Sequence, residues 1–163
     1  MAKRIAKPRE PLRSVEKCPT GIEGLDDITG GGLPRERTTL VCGGPGCGKT
    51  ILGMQFLFNG AEHHQEPGLF ISFEQSVGNV ERDFASLEFD WQDLVTRKKM
   101  GLTSVRLDRS QVVESGDYNL DGLFARLAHA VDAIGAKRIV LDAPESLFGY
   151  FDKEWLVRSE LIR

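Results

Sequence analysis

Eight consecutive residues, Gly43-Gly44-Pro45-Gly46-Cys47-Gly48-Lys49-Thr50, fit the spacing G-x-x-x-x-G-K-T. Glycines let a backbone curl until successive N–H groups converge on phosphate oxygens, and a helix starting directly afterwards adds the positive end of its dipole. Lys49 would neutralise β- and γ-phosphates, and the Thr50 hydroxyl would ligate Mg²⁺. Glycine-rich turns without phosphate are common, but Lys-Thr between a strand and a helix is rarely accidental. Gly44, Pro45, Gly46, Cys47, Gly48, Lys49, Thr50 and the following Ile51 are the candidate nucleotide contacts.

Two carboxylates extend the set. Mg²⁺ on a nucleotide usually needs a carboxylate at the end of a neighbouring buried strand, and Asp142 closes the apolar run Arg138-Ile139-Val140-Leu141. Taken alone, such an Asp reads as a cap or turn former; beside a phosphate loop it reads as the metal ligand. Hydrolysis also needs an acceptor that orients and deprotonates water in line with the γ-phosphate. Glu74 ends the strand-like LFISFEQS, where nothing in an apolar sheet asks for a charge, and is the candidate base. Asp26 and Asp27 precede the core and read as solvated charge, while Asp108 and Glu145 are less clear competitors.

These residues require elements to hold them. Thr38–Cys42 reads as a strand entering the glycine loop, and apolar residues at Ile51, Leu52, Met54, Phe56, Leu57 and Phe58 place a half-buried helix over about 49–62. Leu69–Phe73 is a second strand, 79–87 a helix, and Ser104–Leu107 a weaker third strand. Apolar positions 120, 123, 124, 127, 130, 131 and 134 keep the helical period, and Gly135 supplies the C-terminal cap. Arg138–Asp142 follows as a buried strand. A short helix around Ile22–Ile28 and a turn at Gly30-Gly31-Gly32 precede this alternation. Strands interleaved with helices imply an α/β domain with a mainly parallel sheet covered on both faces. Ligands bind outside the carboxyl ends of such strands, where Glu74 and Asp142 lie.

Bulk properties narrow the class. The chain has 163 residues, 40% of them hydrophobic, enough for one domain with a core, and its net charge of −3 gives no overall pull toward nucleic acid or an anionic membrane. No apolar run reaches the roughly 20 residues that span a bilayer, and the first residues lack the apolar middle of a secretory signal, so the cytoplasm is the expected compartment. Cys18, Cys42 and Cys47 suggest neither a disulfide framework nor a zinc site. Residues 1–16 are basic and read as a flexible arm; 17–163 carry the α/β pattern and read as the N-terminal portion of a domain.

TGIEGLDDITGGGLP, TTLVCGGPGCGKTILGMQFLFNG, GLFISFEQS, RIVLDAPESLF and VRSELIR are similar, in order and spacing, to the first ATPase domain of KaiC-type proteins, the circadian-clock relatives of RecA and RadA. The resemblance runs from about Val15 to Arg163. It implies a RecA-like P-loop fold that binds ATP and Mg²⁺ and assembles into a ring, commonly a hexamer, with ATP between subunits. It also implies that Glu74 is the base and that Ser86 stands near the adenosine. Where the family has Glu-Glu this chain has Glu74-Gln75; where it often has Gly and Ser, this chain has Glu36 and Ala143. The family continues with a strand inserted between the phosphate-loop strand and the Asp142 strand, so the resemblance implies a fold incomplete at its C-terminal end, with marginal stability. Residues 153–163 read as an amphipathic helix.

Three functions stay open: an ATP hydrolase of KaiC type, with serine/threonine autokinase activity or signalling partners belonging to a fuller protein; a non-hydrolysing ATP-dependent assembly module; and a RecA- or RadA-type DNA-dependent ATPase. The acidic balance and the lack of a basic, aromatic-interleaved segment weigh against the last.

Overall fold

The computed structural model describes residues 15–87, 89–105 and 120–146. The chain opens with a two-stranded antiparallel pair, β1 (Lys17–Cys18) and β2 (Leu33–Pro34), with α1 (Leu25–Thr29) between them. Asp26 organises this unit, because its carboxylate accepts the Thr20 N–H at 2.8 Å, the Thr20 hydroxyl at 2.7 Å and the Gly21 N–H at 2.9 Å. Burial opposes its ionisation, but those donors hold its pKa below the ordinary value. Reading Asp26 as solvated charge is therefore corrected: it is the acceptor of a turn. Gly32 could not be another residue, since a Cβ there would lie 2.1 Å from the Cys18 carbonyl oxygen.

The main sheet is parallel, in the order β4 (Met100–Ser104), β3 (Gly68–Ser72), β5 (Arg138–Asp142). Its register pairs Gly68 with Met100 and Arg138, and Ser72 with Ser104 and Asp142. All five residues of β3 are buried, and their alternation sorts them between two cores. Phe70 packs with Met54, Leu57 and Ala61 of α2 (Lys49–His63), Val80 and Phe84 of α3 (Val77–Ser86), and Trp91 and Leu94 of α4 (Trp91–Thr96). Leu69, Ile71 and Phe73 face the other way, against Leu127, Ala130, Val131 and Ile134 of α5 (Leu120–Ile134). Gly135, at φ 62°, ends α5 in the left-handed cap conformation.

Two strand expectations need correction. Thr38–Cys42 has no strand structure, and Leu40 is 79% exposed. A strand exists only with a hydrogen-bonded neighbour, and among the described residues none runs beside this segment. The third strand is Met100–Ser104, because pairing with β3 fixes its frame from Met100 onward; of the expected 104–107 only Ser104 belongs to it, Val105 follows it, and 106–107 lie outside the described residues. The helices expected at 22–28, 49–62 and 79–87 occur within a few residues of those bounds, and α4 is an addition. Residues 1–14, Asp108 and the helix expected at 153–163 lie outside the described residues.

A charged cluster joins the opening pair to the sheet. Arg138 begins β5 with its side chain 1% exposed, and its Nε donates to Glu66 Oε2 at 2.7 Å while Nη1 donates to the Phe56 carbonyl at 3.1 Å. Arg35, just after β2, donates to the other Glu66 oxygen at 2.8 Å and lies 3.2 Å from Glu16. Gly60 gives Arg138 room on α2: a Cβ there would stand 2.4 Å from its Cδ and Nε.

Candidate nucleotide-binding site

The glycine loop connects the exposed segment 38–42 to the first turn of α2. Gly46 and Gly48 have φ of 76° and 90°, and the Gly48 carbonyl accepts the first helical bond, from Leu52 N–H at 2.9 Å. Only a residue without a Cβ adopts such angles cheaply, which is why glycine occupies both positions. Lys49 Nζ folds back onto its own loop, donating to the Gly43 carbonyl at 2.7 Å and the Gly44 carbonyl at 3.0 Å, with Cys47 Sγ at 3.9 Å.

Thr50, one residue on, donates from Oγ1 to Asp142 Oδ1 at 3.0 Å across 92 positions of sequence. The sheet sets this contact. β5 ends at Asp142 beside Ser72, and α2 crosses the same face closely at Gly53, where a Cβ would lie 2.8 Å from Val140 Cγ1. Burial pushes the Asp142 carboxyl above its ordinary value; the negative charges of Glu145 and Glu74 act in the same direction, against the Thr50 hydroxyl and the Lys49 ammonium. Lys49, Thr50, Glu74, Asp142 and Glu145 therefore share one electrostatic environment at the carboxyl edge of the sheet.

Glu74 stands two residues past the end of the β3 ladder. The Phe73 N–H donates to the Asp142 carbonyl at 3.1 Å, the Ser146 hydroxyl donates to the Phe73 carbonyl at 3.2 Å, and the Gln75 N–H donates to Ser72 Oγ at 2.9 Å. Sequence pattern alone does not single out Ser72 and Ser146; the one available signal is a hydroxyl inside the otherwise apolar LFISF. Glu145 is exposed in the short turn after Asp142, and Ala143 in that turn takes φ 55°. Glu36 also takes φ 55°, a conformation more strained for Glu than for Gly.

The loop and its flanking helix thus bring Gly43 to Thr50 together with Asp142. Ile51 is 48% exposed on the first turn of α2. Ser86 is the last residue of α3, its hydroxyl donating to the Asp83 carbonyl at 2.7 Å. Among the described residues no group of three or more His, Cys, Asp or Glu is placed to chelate a metal by itself. A threonine hydroxyl beside a carboxylate fits Mg²⁺, a hard cation that takes oxygen ligands and leaves other positions to water and phosphate.

Loop, helix and strand-end carboxylate on a parallel sheet define an α/β P-loop domain of RecA type. The family model described as "ATPase: KaiC" matches residues 18–163, and the chain belongs to that family. It is 47% identical over 150 residues to the circadian clock protein KaiC2 of Synechocystis sp., covering 92% of this chain and 26% of that protein. It is 40% identical over 152 residues to the circadian clock oscillator protein KaiC of Parathermosynechococcus lividus, covering 93% of this chain and 28% of that one. Among solved structures, a KaiC-like protein from Pyrococcus horikoshii superposes with TM-score 0.75 at 30% identity, covering 91% of this chain and 62% of that chain. The chain thus spans about a quarter of the length of these curated relatives.

Proposed function

We propose that this chain binds ATP through Gly44–Ile51 and hydrolyses it with Glu74 as general base. The observation that carries this reading is the 3.0 Å bond from Thr50 to Asp142, which joins the phosphate loop to the strand-end carboxylate beside the strand that carries Glu74. Lys49 would exchange its two carbonyl acceptors for phosphate oxygens, and Thr50 and Asp142 would hold Mg²⁺, which supplies charge neutralisation on the phosphates when bound. Glu74 would accept a proton from a water aligned with the γ-phosphate. Ser86 and Ile51 are proposed contacts on the nucleoside side. Assembly into a ring, docking of signalling proteins, a cytoplasmic setting and autokinase activity are proposed as well. No helix among the described residues is long and apolar enough to cross a membrane.

The test is phosphate release by the full-length protein. Glu74→Gln lowers kcat by about 10²–10⁴-fold while nucleotide still binds, and Lys49→Ala loses binding itself. Unchanged turnover in Glu74→Gln would remove Glu74 from the mechanism. A second reading, an ATP-held assembly module without turnover, draws on Gln75 and Ala143 standing where the family has Glu and often Ser. Tight ATP binding and ring assembly with no phosphate release would establish it instead.

A further inference from the structure

We propose that Ser72 and Ser146 are positioning residues for Glu74, an inference that rests on reading Glu74 as the base. Glu74 lies beyond the last ladder pair, Ser72 with Asp142, so sheet pairing no longer fixes it. Its neighbours do. The Phe73 N–H is tied to the Asp142 carbonyl, and the Phe73 carbonyl receives the Ser146 hydroxyl. Because the Phe73–Glu74 peptide is planar, holding that carbonyl also sets the direction of the Glu74 N–H. On the far side, the Gln75 N–H is held by Ser72 Oγ, closing a serine turn over the backbone of residues 72–75.

The two hydroxyls come from informative places. Ser72 is fully buried in an apolar strand, where a hydroxyl costs stability unless it finds a partner, and the Gln75 amide is that partner. Ser146 belongs to the turn that follows Asp142, so the segment leaving the metal-ligand candidate reaches back to clamp the segment that presents the base. The backbone on both sides of Glu74 is therefore held, next to Asp142, by one backbone bond and two serine hydroxyls. A water held between a base and a phosphate tolerates little error, and a displacement of about 1 Å can cost about 10²-fold in rate.

The experiment uses the full-length protein with Ser146→Ala, Ser72→Ala and Ser146→Thr, measuring kcat, KM, affinity for a fluorescent ATP analogue, and amide hydrogen exchange across residues 73–76. Each alanine variant is expected to lower kcat about 10-fold with KM and analogue affinity unchanged, and Ser146→Thr to restore kcat. Exchange at Gln75 should quicken in Ser72→Ala. Wild-type kcat in both alanine variants, or a loss that Ser146→Thr does not recover, overturns the proposal. Glu74→Gln run alongside separates the failures. If it keeps wild-type turnover, the base assignment falls and this inference with it; if it loses turnover while both alanine variants keep theirs, only the positioning roles fall.

Discussion

Asp142 shows at the scale of one residue how function and stability pull apart. Its carboxylate is half-buried with Glu74 and Glu145 nearby, and the protein sustains that charge with one threonine hydroxyl and the Lys49 ammonium. A negative group in such surroundings costs folding free energy until a cation offsets it. Asparagine keeps an acceptor for Thr50 without the charge. Asp142→Asn is therefore expected to raise the melting temperature of the nucleotide-free protein by a few degrees while Mg²⁺-dependent phosphate release is lost, as calorimetry and a turnover assay would show. An unchanged or lower melting temperature would mean that the negative charge carries no cost there. The strand-end position of Asp142 was readable from RIVLD, but its link to Thr50 was not, because only the fold brings positions 50 and 142 together.

Among the elements, α2 is the piece on which most depends, since it carries Lys49 and Thr50 at one end and meets the buried Arg138 near the other. Ala at position 60 gains about 1 kcal/mol of helix propensity over Gly. The Cβ nevertheless collides with Arg138, and overpacking of about 1–3 kcal/mol decides the sign. Gly60→Ala is expected to destabilise on denaturant unfolding; a stabilised variant would show that Arg138 can move freely. Glu66 gives a pH-dependent counterpart. Burial raises its pKa, but hydrogen bonds from Arg138 and Arg35 outweigh that and hold it below the ordinary 4.5. A depressed folded pKa contributes stability above the unfolded value and loses it as pH falls through the folded one. Glu66→Ala should therefore cost about 3 kcal/mol at neutral pH, by leaving a buried guanidinium without its carboxylate. That difference should narrow below pH 4.5. A pH-independent difference would assign the cost to packing alone. The helices were legible because their apolar periods are local; this cluster was not, since Glu66 and Arg138 each look like an ordinary charge beside a strand.

For the molecule as a whole, Thr38–Cys42 is the instructive segment. Its residue types suit a strand, yet Leu40 and Val41 are exposed, and on β5 Ile139 and Leu141 are 47% and 38% exposed. Pairing is a property of two segments, so one segment's sequence could announce a tendency without supplying the neighbour. Among the described residues β5 pairs on one side only, with β3, leaving backbone donors and acceptors on the other side that invite association. The 163-residue chain is expected to self-associate with rising concentration, and Ile139→Lys to reduce this in light scattering. A concentration-independent monomer would contradict it.

The Lys49 side chain, folded onto the Gly43 and Gly44 carbonyls, makes the loop its own competitor. An arriving phosphate does not meet a free cation; it must outbid two neutral oxygens already in place. Affinity at this position then measures an exchange, the advantage of an anionic acceptor over a carbonyl, and a ligand whose charge does not reach Lys49 has nothing to set against the bonds it would displace.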